Sequence, residues 1–256
     1  MDINVLVLNV GNTRVAVGAF RAGELVLAER AMLSDRDAVG KVLGEAWTRL
    51  GDAKASVAAA SVNPPAEGII HQRVLEITGQ NIEWVGRDLD IPIKNLTQNP
   101  AETGVDRLLN VAAAFEQFKR ACVVIDMGTA ITIDACNDEG AFEGGAIAPG
   151  LRMMLDALHE KTAKLPRVEF AIPPTPFGRN TTEAIQQGVY HGVRGLIKEV
   201  VENYATAFGF WPEVIATGGD AQQVLGNWDV VNGISNDLTL YGIALAYADH
   251  YIKHEN

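Results

Sequence analysis

CVVIDMGTAITID, residues 122–134, is the stretch on which the reading of the whole chain turns. Cys122 to Ile125 read as an apolar strand ending on an acid, Asp126. Gly128 and Thr129 make a small polar turn, and residues 130–134 return as a second strand. The same grammar recurs at residues 5–17, VLVLNVGNTRVAV. There a buried-type strand runs to Asn9, Gly11 follows two residues later, Asn12 and Thr13 complete the turn, and a second strand leaves it. Asn9 and Asp126 hold the same place in the two copies, as do Gly11 and Gly128. A duplicated strand-turn-strand unit implies an α/β protein of two similar lobes whose hairpins face each other across one cleft.

Outward from these hairpins the chain alternates helix and strand. Residues 36–50 read as a helix, 53–62 as a strand and 67–78 as a helix. Asp106 to Lys119 repeats apolar residues at helical spacing and leads into the second hairpin. Residues 181–208 form a long helix, 212–219 (PEVIATGG) a strand ending in a glycine turn, and 238–252 an apolar helix. This places a first lobe at 1–115 and a second at 116–256, with the last helix free to pack back on the first. Residues 143–150, EGGAIAPG, read as a bend near a ligand or as a plain loop.

The 256 residues are 48% apolar and 21% charged, an ordinary globular balance with enough chain for a substantial core. A net charge of -11 argues against a basic face for nucleic acid. No apolar run approaches the roughly 20 residues that span a bilayer, and the start, MDINVLVLNVGNTR, lacks a basic leader and a small-residue cleavage site. A cytoplasmic protein without a membrane partner is expected. Cys122 and Cys136 have no metal-ligand spacing and read as buried thiols. The five histidines show no paired metal spacing and read as surface or structural residues.

Several motifs have the residue types of a phosphate site. Glycine in a tight turn lets backbone come close to phosphate, and the turn's N–H groups and hydroxyl donate to its oxygens. Gly11, Asn12 and Thr13 in one copy, and Gly128 and Thr129 in the other, are such donors. Asp126 at a strand end can hold a cation or orient its water shell, whereas Asn9 brings no charge. Gly218 and Gly219 follow a strand; they read either as room for an adenosine against backbone or as a tight strand-to-helix connection. Asp106 reads as a helix N-cap worth about 1 kcal/mol. Alternatively, with Arg107 as a planar carboxylate-binding fork, it reads as a group that deprotonates a substrate hydroxyl.

Taken in order, GNT (11–13), SVNPP (61–65), NP (99–100), GVDR (104–107), DMGTAITID (126–134), GGAIAPGL (144–151), LP (165–166), FGRNT (177–181), TGG (217–219) and LTLYGIAL (238–245) resemble the type III pantothenate kinases of the actin, hexokinase and heat-shock ATPase superfamily. The resemblance implies duplicated ribonuclease-H-like lobes with ATP in the cleft between them. It also implies phosphorylation of pantothenate in coenzyme A synthesis, with Mg²⁺ and a monovalent cation (K⁺ or NH₄⁺), by a homodimer whose pockets draw on both protomers. Carried over, Asp106 is the general base, and Gly104, Val105, Asp106 and Arg107 bind the substrate. Asn9, Gly11, Asn12, Thr13, Gly128 and Thr129 take the ATP phosphates, and Gly218 and Gly219 approach the adenosine. Asp126 lies beside the cations, and Thr181 reaches the partner's substrate. This chain departs from the family at Asn9, where aspartate is usual, and at Thr97, often a tyrosine. Those departures motivate two other readings: a non-catalytic regulatory homologue binding ATP or pantothenate, and a kinase for a different small hydroxy acid.

Overall fold

Val5–Val10 (β1) is apolar on both faces because both faces are covered. Leu6, Leu8 and Val10 point into one buried cluster, and Val5 and Val7 into another. The strand is the centre of a five-stranded sheet in a computed structural model that describes residues 3–51 and 54–254. The chain divides into two units, one of Met1–Lys94, Gln98–Ala113 and Asp237–Asn256, the other of Asn95–Thr97 and Ala114–Asn236.

In the first unit β1 pairs antiparallel with Arg14–Arg21 (β2), which pairs with Glu24–Met32 (β3). On its other side β1 runs parallel to Ser56–Ser61 (β4), and β4 to Ile82–Trp84 (β5). Arg36–Leu50 (α1) and Pro64–Thr78 (α2) cover one face, setting Val39, Leu43, Ala46, Ile70 and Val74 on Leu6, Leu8 and Val57. The C-terminal helix, Leu238–His254, covers the other face with Leu240 and Ile243. It is joined there by Leu109 of Val105–Phe118 (α3), a helix that belongs to this unit as far as Ala113. The two helices meet closely: a Cβ on Gly242 would lie 2.3 Å from the Leu109 carbonyl oxygen, so only glycine fits. Each fully buried aliphatic side chain in these layers is worth about 1.5–3 kcal/mol.

The second unit repeats the design. Cys122–Met127 (β7) pairs antiparallel with Ala130–Cys136 (β8), β8 with Ala141–Pro149 (β9), and β7 runs parallel to Glu213–Thr217 (β10), which runs parallel to Gly233–Ile234 (β11). The short strand Lys94–Asn95 (β6) lies beside β9. Leu151–Glu160 (α4), Thr181–Phe208 (α5) and Ala221–Leu225 (α6) complete the unit. Ile185, Val189, Val193, Ile197 and Val201 recur every fourth residue of α5 and pack with Ile125, Met127, Ile131 and Ile133. Without β6, the order β11-β10-β7-β8-β9 reproduces β5-β4-β1-β2-β3, with the same parallel and antiparallel pairings. These are the duplicated ribonuclease-H-like lobes that the sequence implies.

Some elements differ from their sequence reading. Residues 143–149 are neither a bend nor a loop but most of β9, whose exposed outer face tolerates two glycines and a terminal proline, and Gly150 follows as the residue before the next helix. Gly144 adopts φ +130° where the ladder with β8 shifts register. The helix expected at 67–78 begins at Pro64, because proline's fixed φ suits the first helical position. The strand expected at 53–62 is Ser56–Ser61, residue 53 lying outside the described residues. Cys122 and Cys136 are buried free thiols facing each other across β7 and β8. The Cys136 sulfur and burial both push the Cys122 thiol up, which keeps it protonated and inert.

Candidate active site

The two hairpin turns are locally similar and differently supported. Asn9 pairs with Ala16 of β2 and Ala60 of β4, and Asp126 pairs with Thr132 of β8 and Thr217 of β10. The two residues thus hold one position in a repeated sheet, next to the turn in each lobe.

In the first turn the Gly11 N–H donates to the Arg14 carbonyl at 3.0 Å, and Asn12 and Thr13 are exposed. Asn63, the residue before α2, reaches across from the end of β4: its Nδ2 donates to the carbonyls of Gly11 at 3.1 Å and Asn12 at 3.3 Å. The Asn9 Oδ1 is buried and accepts no hydrogen bond among the described residues.

Three backbone bonds hold the second turn. Gly128 N–H donates to Ala130 O at 3.0 Å, Gly150 N–H to Thr129 O at 3.1 Å, and Asp220 N–H to Met127 O at 3.2 Å. Two glycines pack against it. A Cβ on Gly218, whose φ is +95°, would sit 2.6 Å from Asp126 Oδ1 and from Met127 N. One on Gly150 would sit 2.4 Å from the carbonyl oxygens of Gly128 and Thr129. The fold therefore brings Asp126, Gly128, Thr129 and Gly218 together. Gly219, by contrast, has open space where its side chain would be.

Gly104 and Asp106 meet at the head of α3. Asp106 is not the N-cap that its position suggested: α3 starts at Val105, and the Arg107 and Leu108 N–H groups bond to Gly104 O. The carboxylate instead accepts the Arg107 N–H at 2.8 Å. Its neighbour Gly104 leaves it room, since a Cβ there would lie 2.8 Å from Asp106 Oδ1. Burial pushes the Asp106 carboxyl above the usual aspartate range, opposed by the Arg107 N–H and guanidinium. Val105 is half-buried, its side chain packed on the cluster around Leu109 and Leu240. Thr181 is the exposed first residue of α5. Asn180 caps that helix by accepting the Glu183 N–H, while Glu183 accepts from Arg179 N–H. Thr97 N–H and Oγ1 both bond to Asn95 Oδ1, which turns the chain as it leaves β6.

Among the described residues no group of three or more His, Cys, Asp or Glu side chains converges as a metal cage. A Mg²⁺ ion carried by phosphate oxygens and water needs only one or two carboxylates from the protein, and Asp126 at its turn fits that role. Asn63 lies in the SVNPP motif, but its contact with the first turn was not legible. Its signal was an asparagine before two prolines at the end of the strand beside β1, which also reads as a plain helix start.

The fold defines an α/β protein of the duplicated-lobe class, with a glycine turn at the same place in each lobe. Two solved structures share the fold. Component A of the (R)-2-hydroxyglutaryl-CoA dehydratase of Acidaminococcus fermentans is 14% identical, with a TM-score of 0.57 covering 99% of this chain and 100% of that one. The activator of the 2-hydroxyisocaproyl-CoA dehydratase of Clostridium difficile, with bound ADPNP, is 10% identical, with a TM-score of 0.52 over 99% and 97%. Residues 5–203 match the type III pantothenate kinase family. A type III pantothenate kinase of Syntrophotalea carbinolica is 35% identical over 254 residues, 95% of this chain and 98% of that one. The chain belongs to the type III pantothenate kinase family.

Proposed function

We propose that the chain transfers the γ-phosphoryl group of ATP to the terminal hydroxyl of pantothenate. The observation that carries this is family membership along almost the whole chain, with the GVDR residues kept at the head of α3. Asp106 takes the hydroxyl proton as the oxygen attacks the γ-phosphorus. The bond from that phosphorus to the β–γ bridging oxygen breaks, and ADP leaves. Desolvation suits Asp106 to this role, because a carboxylate above its usual range is a stronger base at neutral pH. Gly104, Val105 and Arg107 bind the substrate, the Arg107 guanidinium pairing with its carboxylate.

Asn12 and Thr13 in one turn, and Thr129 in the other, donate to the ATP phosphates, while Gly11 and Gly128, whose N–H groups are taken by the Arg14 and Ala130 carbonyls, shape the two turns. Gly219 offers open backbone for the adenosine, and Gly218, packed on Asp126 and Met127, makes the tight turn that leads to it. Asp126 would be the protein carboxylate that holds Mg²⁺, and Mg²⁺ together with a monovalent cation would neutralise phosphate charge. Asn9 offers these ions a neutral oxygen in place of a charge. The working form is a homodimer in the cytoplasm, in which Thr181 serves the partner's pocket.

The test is ADP release by the native chain with ATP, Mg²⁺ and K⁺ or NH₄⁺, with and without pantothenate. Release that requires pantothenate and disappears in Asp106→Asn is the expected result. ATP bound without turnover in any ionic condition would move the chain to a non-catalytic sensor.

A further inference from the structure

The amide of Asn63 is spent in an unexpected place. Asparagine ahead of a helix ordinarily turns its side chain back to cap the first turn, for about 1 kcal/mol. Here α2 has no side-chain cap, although Asn63 stands at the capping position. Its Nδ2 spans instead to the hairpin 52 residues earlier and takes the carbonyls of Gly11 and Asn12. The backbone of Asn63 is itself held, its N–H bonded to Ser61 Oγ at 3.1 Å.

Peptide geometry gives this contact a consequence. In a trans peptide the C=O of one residue and the N–H of the next point in opposite directions. If the carbonyls of Gly11 and Asn12 both turn toward Asn63, the N–H groups of Asn12 and Thr13 turn away from it. Both residues are exposed, and neither N–H donates to an acceptor among the described residues. Two successive N–H groups directed to one side form a concave anion site.

The geometry points to Asn63 as a positioning residue that fixes the first turn in its phosphate-binding form. The ligand class is the phosphoryl group of a nucleotide, a part of the proposal that rests on the kinase reading above. Backbone bonds and packed glycines hold the second turn, and the first adds to its own Gly11–Arg14 backbone bond the side chain of Asn63. Asn63 thus acts through the turn and touches no reacting atom.

Asn63→Ser separates this role from helix stability. Serine is as good a cap for α2 as asparagine, but its shorter side chain cannot span to the Gly11 carbonyl. Backbone ¹⁵N order parameters of Asn12 and Thr13, without nucleotide, test the clamp directly. They are expected near the rigid value of about 0.85 in the native chain and below about 0.6 in the variant. Calorimetric titration with ADPNP should show Kd about tenfold weaker in Asn63→Ser, with an unchanged or higher melting temperature and an unchanged KM for pantothenate. Rigid Asn12 and Thr13 amides in the variant would overturn the clamp. Mobile amides with unaltered ADPNP affinity would overturn the phosphate role while leaving the kinase reading intact. A native chain that binds no ADPNP at all would overturn the nucleotide reading itself, and the phosphate role with it.

Discussion

Asp106 combines two properties that pull against each other: burial raises its carboxyl, and the proposed chemistry uses it ionised. Because the folded state holds its proton more tightly than the unfolded chain, its stabilising contribution is complete below the ordinary aspartate range. It is lost as pH rises through the raised value. At neutral pH the ionised group therefore costs stability. Asp106→Asn should melt about 1–3 °C higher than the native chain at pH 7, with the difference shrinking toward pH 4, as calorimetry would show. The same substitution should lower kcat by about 10²–10⁴-fold, because the amide accepts no proton. Asn9 poses the opposite case. Its buried Oδ1 has no hydrogen-bond partner among the described residues, so Asn9→Asp places a charge where none of them donates. Without ATP and Mg²⁺ that variant should melt about 2–8 °C lower. With them, turnover should rise at least about tenfold, equivalent to about 1.4 kcal/mol, if charge at this position limits transfer. An unchanged kcat in Asn9→Asp would show that the first acid is dispensable.

At the level of elements, the glycines of the TGG segment have separable jobs. Gly218 adopts a left-handed backbone with Asp126 and Met127 against it, whereas Gly219 faces open space. Gly218→Ala should cost about 2–4 kcal/mol from the positive φ and the overpacking together. Gly219→Ala should stay within about 0.5 kcal/mol of the native chain, both by urea denaturation. The hairpins themselves were legible because each sets an uninterrupted apolar strand against glycine at a fixed offset. The outer strands were not. β3 carries Glu24, Glu29 and Arg30 on a largely exposed strand, so no apolar run announces it. β9 is interrupted by Gly144 and Gly145 and ends at Pro149, which together read as a loop. Both are held by pairing to a neighbour rather than by their own propensity. The same limit hid Asn63: its use depends on β4 lying beside β1, a tertiary fact that no local pattern carries.

For the whole molecule, the repeat of acid-or-amide, glycine and strand gave the duplicated topology, since one grammar read twice implies one sheet built twice. The ordered motifs gave the family, which the match over residues 5–203 bears out. Assembly is a prediction at this scale. If Thr181 completes the partner's pocket, Thr181→Glu should block the neighbouring site, and Asp106→Asn should disable its own. Mixing the two inactive chains should then restore about a quarter of native activity, because half the dimers are mixed and each has one intact pocket. No recovery on mixing, with light scattering showing mixed dimers, would remove Thr181 from the site.

The central claim is phosphoryl transfer to pantothenate, and ³¹P NMR of the reaction follows it most directly. Native chain incubated with ATP, Mg²⁺, K⁺ and pantothenate should produce a phosphate monoester resonance that grows in step with ADP, and neither should appear when pantothenate is left out. ADP accompanied only by inorganic phosphate, or no loss of ATP although ADPNP binds, would contradict the account.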